Sequence, residues 1–168
     1  METIDIPGAL LRADSDKHII LVLKGNLALL MCHVDQKLYR KYIIFDMRGK
    51  PVLYVKMLKD LYGMLQSALL FHRKLVKDLQ KYGLKMNPYY PCVFNGMNNE
   101  KQLTVTFHVD DLKVSHIDPF KIMLFACYLS RIYEKNIVVH QGKVHDYLGI
   151  NFDLSEKGKV NIDMIPLL

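Results

Sequence analysis

Two runs of alternating apolar residues meet at a pair of carboxylates in the stretch Leu103-Thr104-Val105-Thr106-Phe107-His108-Val109-Asp110-Asp111-Leu112-Lys113-Val114-Ser115-His116. On both sides of the pair the apolar residues recur at every second position, which is typical of half-buried β-strands. The stretch therefore predicts a β-hairpin whose turn runs from His108 to Asp111. Two acidic side chains at the exposed tip of a rigid hairpin are well placed to hold a metal ion.

The Asp110-Asp111 pair has two interpretations. Aspartate is a favoured turn residue because its side chain bonds to nearby backbone, so the pair is compatible with a purely structural turn. A turn needs only one such residue, however, and adjacent like charges repel unless a cation or a proton lies between them. The residues alone leave both interpretations open.

The composition predicts one globular domain over residues 1–168, because 51% of the 168 residues are hydrophobic and 24% are charged. A formal net charge of +6 favours a polyanionic partner. No apolar run reaches the length of a membrane span, and the first residues lack a signal-peptide pattern, so we expect an intracellular protein. The odd number and wide spacing of Cys32, Cys92 and Cys127 favour buried free thiols over disulfides or a zinc site.

Helical periodicity predicts one long helix over residues 58–82, ended by Gly83. We expect this helix to pack across the sheet through Leu61, Leu65, Leu69 and Leu75. Asp118-Pro119 is a helix-start signal because Asp caps the first turn and Pro fits its first position. The second helix has a predicted apolar stripe at Phe120, Met123, Leu124, Cys127, Tyr128 and Ile132.

Shorter segments complete the predicted layout. Residues 3–6 form a strand that ends near Asp5, because Pro7 cannot donate to a sheet ladder. Residues 19–25 are predicted as a buried strand, 27–34 as a short helix, and 42–45 with 52–55 as a hairpin. Residues 147–154 are predicted as a strand, preceded by His145 and Asp146 as a hydrogen-bonded surface pair.

Four stretches, in this order, resemble motifs of one enzyme family. They are Asp5-Ile6-Pro7-Gly8-Ala9-Leu10-Leu11, Leu61-Tyr62-Gly63-Met64-Leu65-Gln66-Ser67, Phe107-His108-Val109-Asp110-Asp111-Leu112 and Tyr147-Leu148-Gly149-Ile150. Together they resemble the reverse transcriptase domain of copia-type LTR retrotransposons. Three positions depart from the usual pattern: Leu10 stands where Phe is usual, Leu65 where Lys is usual, and His108 where Tyr is usual.

The resemblance implies an α+β fold with an antiparallel palm-type sheet, a ferredoxin-like βαβ core, and helices packed on one face. It implies an RNA-directed DNA polymerase that uses two Mg²⁺ ions, with Mn²⁺ as a substitute, held by Asp5, Asp110 and Asp111. Gly63, Gln66 and His108 would line the nucleotide and template pocket, and Tyr147, Leu148 and Gly149 would form the primer grip. The partners would be an RNA template, a DNA primer and deoxynucleoside triphosphates, in a cytoplasmic particle or the nucleus and without a membrane.

The family also sets expectations about completeness. Its fingers precede the first catalytic Asp, and this chain begins close to Asp5, so we expect a palm with the fingers absent and the thumb largely absent. Primer extension by such a palm should be weak or undetectable. Two alternatives remain open: a non-catalytic nucleic-acid-binding remnant of the same domain, and an unrelated ferredoxin-like binding module. The sequence specifies no oligomeric state.

Overall fold

The computed structural model describes residues 1–12, 18–59, 67–98, 100–134 and 137–164. Contacts group the chain into two compact units. One unit joins Met1–Ala13 to Leu61–Leu168, and the other comprises Asp14–Asp60. The second unit is thus an insertion in the sequence of the first.

The elements are named here in chain order. The helices are α1 (Asn26–Val34), α2 (Gln36–Tyr39), α3 (Ser67–Lys81) and α4 (Pro119–Ile132). The strands are β1 (Glu2–Asp5), β2 (Ile20–Lys24), β3 (Ile44–Phe45), β4 (Pro51–Lys56), β5 (Lys85–Met86), β6 (Val93–Asn98), β7 (Lys101–His108), β8 (Asp111–Ser115), β9 (Val138–His140), β10 (Val144–Tyr147), β11 (Ile150–Asp153) and β12 (Asn161–Met164). Short 3-10 turns occupy Ala9–Arg12 and Arg40–Tyr42.

The first unit is built on a six-stranded sheet in the order β5-β6-β7-β8-β1-β9, and every neighbouring pair is antiparallel. The predicted hairpin is confirmed as β7 and β8, because His108 pairs with Asp111 across a two-residue turn. The predicted alternation is also confirmed: the buried residues of the two strands are Leu103, Val105, Phe107, Leu112 and Val114. These side chains form one core with the buried faces of α3 and α4.

The prediction for helix α3 is confirmed only in part. Leu58 and Lys59 are not helical, and residues 60–66, which include Leu61 and Leu65, lie outside the described part of the chain. Leu75 is buried as predicted, but Leu69 is 48% exposed because the helix buries the stripe that begins at Ser67 and Phe71. The helix ends as predicted at Gly83, which has φ +99°.

Helix α4 starts as predicted, with the Asp118 side chain accepting a 3.0 Å hydrogen bond from the Phe120 N–H. Its buried face matches the predicted one only in part, because Tyr128 and Ile132 are half-buried against the core as predicted. Phe120, Met123, Leu124 and Cys127 are exposed, and the core is filled by Ile122, Phe125, Ala126 and Leu129. The helix carries apolar residues on several faces, so periodicity did not determine which face turns inward.

A second sheet in this unit has the order β10-β11-β12. Residues 147–154 were predicted as one strand, but Leu148 and Gly149 form a tight turn between β10 and β11, with φ +57° and +74°. Two successive positive φ values are the pattern of a type I′ hairpin turn. The remaining segment, β11, pairs with β12.

The second unit contains α1, α2 and a three-stranded sheet in the order β2-β4-β3. The predicted short helix and hairpin are confirmed as α1 and as β3 with β4. The prediction that residues 19–25 form a buried strand is wrong in its burial, because Ile20, Leu21 and Val22 are each exposed. The second unit has more apolar residues than a unit of this size can enclose. Several apolar side chains of this strand therefore face outward.

Across both units, the described residues form a mixed α/β fold with antiparallel sheets, in agreement with the predicted α+β class. The three cysteines are free, as predicted, but Cys92 and Cys127 are exposed and Cys32 is half-buried, so the prediction of buried thiols is wrong. Among the described helices, none has both the length and the apolar character needed to span a bilayer.

Candidate functional site

Two carboxylates face each other where two neighbouring inner strands of the six-stranded sheet end and begin. Asp5, the last residue of β1, pairs with Asp111, the first residue of β8. Their neighbours Ile4 and Leu112 also pair and are buried in the core, so the two aspartates project from the opposite face of the sheet. Directly opposed side chains have Cβ atoms about 5 Å apart, and like charges in this position destabilise a sheet.

Asp110 joins this pair through the backbone. The Ile6 N–H donates a 3.2 Å hydrogen bond to the backbone carbonyl of Asp110, which ties the exit of β1 to the hairpin tip. Asp110 follows Val109, whose φ of +53° is unusual for a β-branched residue. Such a backbone conformation costs roughly 1–3 kcal/mol and often marks a functional site. The carboxylates therefore stand at a tight, strained turn.

The electrostatics reflect this crowding. Burial and the neighbouring Asp110 raise the pKa of Asp5, while the Ile6 N–H and His140 oppose the rise. Partial burial raises the pKa of Asp111, and Asp110, Asp5 and Asp146 raise it further, although its side chain remains solvent-accessible. Burial is the larger cause of both pKa shifts, and a cation placed among these groups would offset the repulsion that adds to it.

A cleft of about 240 Å³ opens beside the pair. Its lining includes Asp5 and Asp111 of the large sheet and Tyr147 and Leu148 of the β10–β11 hairpin. Tyr147 is only 7% exposed, and burial together with Asp111 raises the pKa of its hydroxyl to about 12. The hairpin is held on the sheet partly by Lys113, whose Nζ lies 5.6 Å from the Tyr147 ring centroid and 4.6 Å from that of Phe152.

Most of the predicted site residues therefore lie near one another. Asp5, Asp110, Asp111 and His108 surround the hairpin tip, where His108 pairs with Asp111. Tyr147 and Leu148 line the cleft, and the Gly149 N–H donates a 3.3 Å hydrogen bond to the Asp146 carboxylate. Gly63 and Gln66 lie outside the described residues.

Sequence reasoning missed two residues of the cleft, His140 and Asp146. His140 reaches it because β9 pairs with β1, which brings a segment from the far end of the chain beside Asp5. Asp146 was predicted to pair with His145 at the surface, but His145 is buried with its Nε2 3.0 Å from the Gly142 carbonyl oxygen. The sequence did contain a signal that these two side chains separate. Adjacent residues of a strand place their side chains on opposite faces, so His145 and Asp146 face different ways.

The donor set of the cleft fits a hard divalent cation. Asp5 and Asp111 line the cleft, Asp110 precedes Asp111 at the hairpin tip, and their carboxylate oxygens are the ligands that Mg²⁺ takes in phosphate chemistry. Two of them are opposed like charges with raised pKa values, which is the arrangement that a bound cation stabilises. Within the described ranges, however, no three His, Cys, Asp or Glu side chains are already gathered tightly enough to hold one ion. Binding would therefore require the carboxylates to close on it.

Comparison with known proteins adds no relative. No family model matches the chain, and neither does any curated protein or solved structure. The chemistry proposed for the cleft therefore depends on the residues of this chain alone.

Proposed function

We propose that this chain carries the active-site region of an RNA-directed DNA polymerase of the copia-type reverse transcriptase family, and that it transfers nucleotides by a two-metal mechanism. The observation that carries the proposal is the direct opposition of Asp5 and Asp111 on adjacent strands, with Asp110 at the tip between them. A structural turn needs one carboxylate and gains nothing from a second opposite it. Opposed carboxylates are favourable when they share cations.

The order of the elements supports the palm assignment. The segments β1, α3, β7, β8, α4 and β9 follow the β-α-β-β-α-β order of a ferredoxin-like core. Their strands are neighbours in the order β7-β8-β1-β9, all antiparallel, with both helices contributing to the same core. This arrangement brings the end of β1 beside the hairpin tip, where a palm-type site needs its carboxylates.

Each residue of the cleft has a distinct role in this mechanism. Asp5 and Asp110 would hold the ions, and Asp111, which faces Asp5 on the paired strand, would support the site by sharing the ion that Asp5 holds. When bound, the two ions lower the pKa of the primer 3′ hydroxyl and stabilise the leaving pyrophosphate. His108 contacts the nucleotide or template beside the tip, and the turn at Leu148 and Gly149 orients the primer end.

The test is incorporation of one deoxynucleotide into a DNA primer on an RNA template, with Mg²⁺ or Mn²⁺ and protein in excess over primer. Asp110→Asn should abolish incorporation and leave binding of the RNA–DNA hybrid nearly unchanged, because it removes a metal ligand and adds no clash. Glu156→Gln is the matched control, since it removes an exposed carboxylate that pairs with Lys159 at 2.6 Å. Incorporation that survives Asp110→Asn would contradict the assignment of the site.

A non-catalytic nucleic-acid-binding protein with the same fold is a second candidate. One observation favours this candidate: among the described residues, no three side chains that could bind a metal lie close enough together to hold one ion. The two functions differ in one respect: the non-catalytic remnant binds the RNA–DNA hybrid independently of divalent cations. Hybrid binding with no incorporation and no Mn²⁺ binding would therefore favour the remnant.

A further inference from the structure

Tyr147 is held rigidly at the edge of the cleft. It is the last residue of β10, it is 7% exposed, and the turn at Leu148 and Gly149 follows it directly. The Lys113 ammonium lies 5.6 Å from the centre of its ring. Lys113 and Asp111 are two residues apart on β8 and project from the same face of the sheet, so the Tyr147 ring packs on the face that bears Asp111.

The Tyr147 hydroxyl is a buried donor without a partner. Its oxygen has no hydrogen-bond partner among the residues that the structure describes. Buried hydroxyl groups of tyrosine almost always find one, so each exception requires an explanation. Asp111 lines the same cleft, and burial together with the Asp111 charge keeps the proton on the phenol at neutral pH. A proton donor is thus held beside a carboxylate without bonding it.

We propose that Tyr147 is a positioning residue, whose hydroxyl donates a hydrogen bond to the Asp111 carboxylate when a divalent cation binds between Asp111 and Asp5. The inference rests on the proposed function, because it requires the carboxylates to bind a cation. Cation binding draws the opposed carboxylates into fixed positions, and a donor behind one of them sets its orientation. Hydrogen bonds of this kind to metal-binding side chains commonly change metal affinity by about 10–100-fold.

The test is direct titration with Mn²⁺, with free Mn²⁺ measured by electron paramagnetic resonance, on Tyr147→Phe and the unsubstituted chain. Tyr147→Phe removes only the hydroxyl, so Mn²⁺ affinity should fall about tenfold. The melting temperature without metal should stay the same or rise, because a buried donor without a partner is removed. A role limited to folding would lower the melting temperature instead.

Tyr133→Phe is the matched control, because the Tyr133 hydroxyl donates a 3.0 Å hydrogen bond to Asp78 far from the cleft. It should lower the melting temperature and leave Mn²⁺ affinity unchanged. Unchanged Mn²⁺ affinity in Tyr147→Phe, or a loss accompanied by a lower melting temperature, overturns the inference. Asp5→Asn and Asp111→Asn separate the two proposals: if neither weakens Mn²⁺ binding, the proposed function itself fails.

Discussion

The backbone N–H of Ile6 donates a 3.2 Å hydrogen bond to the backbone carbonyl of Asp110, and this bond joins the start of the chain to the tip of its central hairpin. The bond extends the pairing of β1 with β8 by one step beyond Asp5 and Asp111. The bond thereby holds three carboxylates, from two segments far apart in the sequence, at one end of two neighbouring strands. Their mutual repulsion in the absence of a cation leads to the first prediction.

Asp111→Asn should stabilise the metal-free protein at pH 7. The folded state raises the pKa of Asp111 above its unfolded value, so the charged form is disfavoured on folding. This unfavourable contribution is fully present above the raised pKa and disappears as the pH falls through it towards the unfolded value. We expect a gain of up to about 1 kcal/mol in the free energy of unfolding.

Thermal unfolding with a chelator at pH 7 and near pH 4 measures this effect. The variant should melt higher only at pH 7, and saturating Mg²⁺ should remove its advantage by stabilising the unsubstituted chain. Equal melting temperatures at pH 7 would mean that the opposed carboxylates do not repel each other.

Leu148→Asn should stabilise the β10–β11 hairpin. Leu148 has φ +57° and is 49% exposed, and it precedes Gly149 at φ +74°. Asn tolerates this backbone region better than Leu, and Asn-Gly is the preferred pair for a type I′ turn. We expect a gain of about 1 kcal/mol, or a melting temperature about 2–4 °C higher.

Leu69→Asn serves as the control for this substitution. Leu69 is 48% exposed in the helical backbone of α3, where Asn is a poorer helix former than Leu, so this variant should be slightly less stable. A Leu148→Asn protein no more stable than the unsubstituted chain would show that the turn is not strained.

Asp78 should be a major contributor to the packing of α3 against α4. It is 5% exposed and accepts hydrogen bonds from Lys74 at 2.8 Å and from the Tyr133 hydroxyl at 3.0 Å. Asp78→Ala leaves a buried hydroxyl without its acceptor and should cost about 1–3 kcal/mol in urea unfolding.

A double-mutant cycle with Tyr133→Phe isolates the Asp78–Tyr133 bond and should give a coupling of about 1 kcal/mol. Lys81→Ala is the control, because the exposed Lys81 ammonium lies 4.0 Å from Asp78 and should contribute little. Zero coupling between Asp78 and Tyr133 would contradict the bond.

Binding of an RNA–DNA hybrid should weaken steeply with salt. The chain carries a net charge of +6, and each lysine or arginine that neutralises a phosphate releases a counterion. We expect affinity to fall by about tenfold or more between about 50 and 200 mM salt. Fluorescence anisotropy with a labelled hybrid measures the slope, and a flat salt dependence would exclude phosphate contacts as the source of binding.

The sequence predicted the parts of this fold that local chemistry determines. Residues 103–107 and 112–115 alternate, Asp118-Pro119 caps α4, and Gly83 ends α3, and each signal acts within a few residues. The orientation of the helices was harder to predict. Leu69 and Met123 were assigned to the core, yet they are exposed because both helices carry apolar residues on more than one face.

Local sequence patterns likewise predicted only some residues of the candidate site. Asp5, Asp110 and Asp111 were found through motifs in the sequence, and the pairing of β1 with β8 brings them together. His140 and Asp146 belong to no motif, and they reach the cleft only through the pairing of β9 with β1 and the position of the β10–β11 hairpin. Such contacts depend on tertiary packing, which local patterns do not encode.

The most direct test of the central claim is the anomalous scattering of Mn²⁺ in crystals of the chain grown with a deoxynucleoside triphosphate. We predict anomalous peaks from Mn²⁺ ions in contact with the carboxylates of Asp5, Asp110 and Asp111. Crystals of Asp110→Asn should show no peak at this position. Mn²⁺ bound elsewhere, with these three carboxylates free of metal, would contradict the account.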